Sequence, residues 1–153
     1  MSRRGQIELS AQELASFLDE QRVLTCATNG PRGWPHLIPL WYVTREPELW
    51  AWTYAKSQKV RNLERDPRAT LSLEAGTGYH ELRGIMIEAQ AVVHRDPELV
   101  AALGRDLFER YGSATTGPEF LQAVRAQAAK RVALQFVPRR TTSWDHRKLG
   151  SAY

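Results

Sequence analysis

Hydrophobic and polar positions change their period several times along the chain, and each change marks an element. After Ser10, the apolar residues Leu14, Phe17 and Leu18 recur at helical spacing, and Ser10 with Glu13 has the form of a capping box. This predicts a helix over about residues 10–20. Residues 22–28 (RVLTCAT) and 34–44 (WPHLIPLWYVT), separated by the turn-forming NGPRG, predict two strands of a β-hairpin. Pro35 and Pro39 cannot donate to a ladder, so the second strand is an edge, a bulge or a backbone held open beside a ligand. A third strand follows at 49–54 (LWAWTY). A short helix over 57–66 comes next, with Ser57 capping its start, Val60 and Leu63 facing the core, and Asp66-Pro67 stopping it.

The alternation resumes in a fourth strand at 68–75 and, after the turn GTG, in a long fifth strand over 79–95 with Gly84 in its middle. Asp96 as N-cap and Pro97 at the first helical position open a helix that runs to residue 112. Another helix at about 118–129, a strand at 131–138 and an extended 141–149 complete the series. Strands joined by hairpins and short helices predict a mainly β fold with some α, an antiparallel barrel with peripheral helices. A chain of 153 residues is expected to form one domain over 1–153.

Composition narrows the setting. Hydrophobic residues at 42% and charged residues at 25% can support a core without staples. The single cysteine, Cys26, excludes an internal disulfide framework and suits a reducing cytoplasm. No apolar run approaches the roughly 20 residues of a membrane span, and the start of the chain lacks a signal-peptide core. The expectation is a soluble cytoplasmic protein. The net charge of +4 is modest but unevenly placed. Residues 56–68 hold five basic groups against Glu64 and Asp66, and 138–148 hold four against Asp145. Two such stretches meeting in space would form an anion site.

The common catalytic constellations are missing. His36, His80, His94 and His146 have no metal-ligand spacing, and no nucleophile elbow or phosphate loop occurs. Cys26, in an apolar strand, reads as a small buried hydrophobe. A basic patch with five tryptophans fits a nucleic-acid stacking platform, but Trp34, Trp41, Trp50 and Trp52 fall in strands that can use them as core. Acidic residues also interrupt both basic stretches, which argues against nucleic acid. Thr53, Ser57, Gln58, Lys59 and Asn62 place hydroxyl, amide and ammonium donors around a helix start, where free backbone N–H groups favour an anion. On composition alone the segment reads equally as a solvated helix.

The succession GWPHLIPLWYV, LWAWTYAKSQKVRNLERDPRATLSLE and LRGIMIEAQAVV resembles the pyridoxamine 5′-phosphate oxidase-like superfamily of flavin and deazaflavin oxidoreductases. Its most specific element is S-x-K-x-x-N-L-x-x-x-P between two strands, carried by Ser57, Lys59, Asn62, Leu63 and Pro67. The resemblance spans about residues 10–95, and the closing SWDHRKL is similar to the end of some members. It implies a split β-barrel homodimer with FMN or the deazaflavin F420 in grooves at the subunit interface. Lys59 and its neighbours Lys56, Ser57, Gln58, Arg61 and Asn62 would hold the cofactor phosphate, with Thr53 lining the same groove. Pro39, Leu40 and Trp41 would run along the cofactor ring, Arg83 would lie near it, and Trp144 and Lys148 would close the site. Where true pyridoxamine-phosphate oxidases carry Ser-Arg-Lys, this chain has Ser57-Gln58-Lys59, and where they carry a strand arginine it has Ile38. These departures turn the expectation from vitamin B6 oxidation toward F420, with FMN second, and hydride transfer to a small conjugated or heteroaromatic substrate. The alternative is a non-catalytic carrier of a flavin, F420, haem or another tetrapyrrole.

Overall fold

The computed structural model describes residues 2–112 and 117–150, so the ends of the expected 1–153 domain lie outside the described residues. Two helices open the chain: α1 (Arg3–Ile7), which the sequence pattern did not announce, and α2 (Ala11–Glu20). The predicted capping box at α2 forms in full, with Ser10 Oγ accepting from Glu13 N and Glu13 Oε2 accepting from Ser10 N. Strands β1 (Leu24–Asn29), β2 (Pro35–Leu40), β3 (Val43–Arg45) and β4 (Glu48–Tyr54) follow, then α3 (Gln58–Arg65) and β5 (Arg68–Ala75). The chain ends with β6 (Arg83–His94), α4 (Pro97–Tyr111), α5 (Pro118–Ala128) and β7 (Arg131–Asp145).

All seven strands form one antiparallel sheet in the order β2-β1-β5-β6-β7-β4-β3. Strands β2 and β3 stand at opposite edges, yet only Trp41 and Tyr42 separate them in sequence. Three Cα steps span at most about 11 Å, so the sheet must curl until its edges nearly meet. The fold is therefore a split antiparallel barrel, as expected. The barrel core is built from inward side chains such as Leu24, Leu71, Ile85 and Phe136. Phe17 and Leu18 of α2 and Val60 and Leu63 of α3 close it. Each such side chain contributes roughly 1.5–3 kcal/mol by leaving water. A second cluster, including Trp50, Leu103, Leu107 and Ala133, packs α4 and α5 on the outside.

Three expectations about elements are corrected. The strand predicted over 34–44 is two strands, broken at Trp41–Tyr42. There Tyr42 is fully buried, and its hydroxyl donates to the Leu18 carbonyl at 2.5 Å and the Gln21 carbonyl at 2.9 Å. The Tyr42 backbone bonds the Tyr111 hydroxyl of α4 through both its N–H (3.0 Å) and its C=O (2.8 Å), which replaces the sheet ladder. The fifth strand begins only at Arg83, after a 3-10 turn at Tyr79–Glu81, so Gly84 stands near its start. The last strand continues unbroken to Asp145, with a register shift opposite Glu88/Ala89, before a 3-10 turn at His146–Leu149. The edge position of β2 bears out the reading of its prolines. Among the described residues, no helix is long and apolar enough to cross a membrane.

Candidate functional site

Helix α3 exists because Val60 and Leu63 bury against the barrel and Asp66 ends it, but half of its buried face is polar. Lys59 is only 8% exposed, and Asn62 is fully buried. Lys59 Nζ donates to Thr53 Oγ1 at 2.8 Å, at the end of β4. Asn62 Nδ2 donates to Thr28 Oγ1 of β1 at 3.0 Å, while its Oδ1 accepts from Gln58 Nε2 at 2.8 Å. The amide thus fixes the helix to the sheet, and the ammonium is held by a neutral hydroxyl. Burial pulls the Lys59 pKa below the usual lysine range, with the nearby Cys26 thiol opposing weakly. Burial pushes the Cys26 thiol up to about 12, so this side chain is the small hydrophobe expected of it and not a thiolate nucleophile.

Ser57 occupies the N-cap position of α3, but its side chain makes no capping bond, which corrects the expectation. Its Oγ is buried and unpartnered instead, so no side-chain cap satisfies the amides of the first turn. A second orphan lies in β2, where His36 Nδ1 is also buried without a partner. His36 is in register with Thr28, the residue that holds Asn62. A cavity of about 240 Å³ is lined by the β1–β2 turn, His36 and Gln58. Orphaned buried polar atoms are rare in folded proteins and mark places where a ligand or water completes the bonding.

The other residues singled out from the sequence are placed as follows. Lys56 and Arg61 are exposed flanks of α3. Pro39 is exposed and Leu40 buried at the end of β2, next to Trp41. Trp41 is 54% exposed and stacks on Tyr111 at 4.5 Å and 4°. Trp34, at 74%, is likewise not core, whereas Trp50 is buried. Arg83 pairs with Glu20 at 2.8 Å and lies over the Phe17 ring. Trp144 packs on Gly84, where a Cβ would stand 2.5 Å from the indole. Lys148 Nζ bonds Glu13 at 2.6 Å and the Glu8 carbonyl at 2.7 Å. Arg83 and Lys148 share a separate polar groove with Arg147 and Asp145, at the start of β6. Helix α3 ends beside the far end of that strand, where Ala91 donates to the Pro67 carbonyl.

One chain therefore gathers Thr53, Ser57, Gln58, Lys59 and Asn62 and leaves Arg83, Trp144 and Lys148 elsewhere. The two basic stretches meet only in part: Arg68 and Arg139 line one outer-face cavity of about 520 Å³ with Glu88. Thr28, His36 and Tyr111 were missed from the sequence. The alternation of β2 could have flagged His36, a polar residue in phase with the inward Ile38 and Leu40.

The barrel fold coincides with what comparison with known proteins finds. The sequence model of the pyridoxamine 5′-phosphate oxidase family matches residues 10–145. The chain belongs to that family. Among solved structures, a conserved hypothetical protein from Mycobacterium tuberculosis is 42% identical with a TM-score of 0.91, covering 100% of this chain and 95% of the other. An F420 reductase shares the fold at 24% identity and TM-score 0.65, covering 82% and 93%. The haem storage protein HutZ from Vibrio cholerae does so at 19% and 0.66, covering 85% and 90%. No curated protein matches the sequence. Among the described residues, no three His, Cys, Asp or Glu side chains gather as a metal site.

Proposed function

We propose that the chain is an oxidoreductase that binds F420, or failing that FMN, at the start of α3. The observation that carries this reading is the buried Lys59 ammonium, held by the Thr53 hydroxyl beside an uncapped helix start and an unpartnered Ser57 hydroxyl. An ammonium taken out of water with no counter-charge is disfavoured unless an anion joins it. A cofactor phosphate supplies that charge, along with acceptors for Ser57 Oγ and the first-turn amides. The residues present thus fit the phosphate of a flavin or deazaflavin. Bound there, such a cofactor contributes hydride transfer to or from a small conjugated acceptor.

This chain's own residues would position and shield it. Lys59 and Ser57 anchor the tail, and the backbone of Pro39, Leu40 and Trp41 runs along the ring. Lys56 and Arg61 add a positive rim, and Gln58 leaves room where family members with a second cation grip a monophosphate. A second copy of the chain would dock along the outer edge of β2, where Leu37 is exposed, next to the exposed Trp41. That copy would bring Arg83, Trp144 and Lys148 to the ring from the other side.

The test is steady-state oxidation of reduced F420 and reduced FMN by a panel of nitro-aromatic, quinone and enone acceptors. Acceptor-dependent consumption of one cofactor is expected. Tight binding without turnover across the panel would make the chain a carrier, and binding of neither would remove the reading.

A further inference from the structure

The turn between β1 and β2 is built more firmly than a simple connection needs. Gly30 donates its N–H to the Trp34 carbonyl at 3.0 Å, and Gly33, at φ 82°, donates to the Gly30 carbonyl at 3.2 Å. A Cβ on Gly30 would fall 2.4 Å from the Trp34 carbonyl oxygen, so the close approach needs glycine. The turn holds Arg32 and Trp34 over the 240 Å³ cavity whose other wall is His36 and Gln58. Arg32 is exposed and has no carboxylate partner among the described residues, and His36 Nδ1 is buried with no partner. Gln58 adjoins Ser57 and Lys59 in sequence and is tied through Asn62 and Thr28 to the strand position opposite His36. The cavity therefore shares Gln58 with the start of α3, next in sequence to the proposed phosphate anchor, carries its own cation in Arg32, and is lined by His36, which holds the orphan.

We propose that this cavity is a second-anion subsite, which grips negative charge lying beyond the first phosphate of the ligand. Arg32 supplies the charge, His36 Nδ1 a directed hydrogen-bonding atom, and the exposed Trp34 ring a wall. A monophosphate ends at Lys59 and leaves the subsite unused; a ligand continuing into a second phosphate or a carboxylate chain reaches it. The proposal rests on the cofactor reading above and adds what selects among cofactors.

The experiment compares two ligand pairs that differ only in the extension: FMN with FAD, and F420 lacking its glutamates with F420 carrying them. Each is titrated by fluorescence against the wild-type protein and the Arg32→Ala/His36→Gln variant. The wild type is expected to hold the extended member of at least one pair about tenfold more tightly, the scale of two partly exposed charge-assisted contacts. A preference that is lost with Arg32 is one for the charge of the extension, phosphate in the first pair and carboxylate in the second. In the variant the preference falls to within about twofold, while the affinity for the shorter member is kept. Arg32→Ala alone, at an exposed turn position, should lose a clear part of the preference even if a change at His36 disturbs β2. Equal affinities within both pairs in the wild type, or a preference that survives in the variants, overturns the subsite. Failure of all four ligands to bind overturns the cofactor reading itself, a distinguishable outcome.

Discussion

Under the proposed reading, function and stability pull against each other at Lys59. Its ammonium is buried against a hydroxyl and a thiol, an arrangement that disfavours the charge in the folded chain. Lys59→Met keeps the stem and removes the charge. It is expected to raise stability on the order of 1 kcal/mol, or about 2–4 °C in a thermal melt, while weakening anion binding. The sign with pH follows from the same shift. The folded-state pKa is lowered from 10.5, so below that value and above the folded pKa the unfolded chain binds more protons. Stability of the wild-type protein therefore rises with pH through this window, and Lys59→Met flattens the rise. Anion affinity moves the opposite way, falling as the ammonium is lost. The S-x-K-x-x-N pattern made Lys59 and Asn62 legible as candidate site residues. His36 was not, because an unpaired buried nitrogen is a property of its folded surroundings.

At the scale of elements, local signals were enough wherever a helix or strand is fixed by its own neighbours. The capping box of α2, the Asp96-Pro97 start of α4 and the alternation of β5 all needed only a few residues of sequence. The break between β2 and β3 could not be read this way, because it depends on a hydroxyl supplied by Tyr111, 69 residues further on. Helix α4 offers a direct check on its docking. Gly104 sits in its middle, where alanine would ordinarily be favoured by about 1 kcal/mol. A Cβ there would lie 2.3 Å from the Trp52 ring, which is fixed edge-on against Phe108 at 6.0 Å. Packing outweighs propensity, so Gly104→Ala is expected to lower stability by about 1–3 kcal/mol, measured by denaturant unfolding.

For the whole molecule, strand order and barrel closure follow from pairings between distant segments, so pattern reading reached the class of fold but not its seam. The same holds for the candidate site. Sequence grouped Arg83, Trp144 and Lys148 with Lys59, but in one copy of the chain Arg83 and Lys148 line a different groove and Trp144 packs on Gly84. The proposed two-chain site would reconcile the two, with a partner's groove facing the first chain's helix start. It predicts that the protein sediments at twice 17.4 kDa and that Leu37→Asp, on the exposed face of β2, yields single chains. Those single chains would lose cofactor affinity although Lys59 is untouched. The most direct test of the central claim is equilibrium fluorescence titration of wild-type protein and Lys59→Ala with F420 and FMN side by side. Tight binding of one cofactor, weakened by about 1.5–3 kcal/mol in the variant, is the predicted result. Equal affinity in the two proteins, or no binding by the wild type, would contradict it.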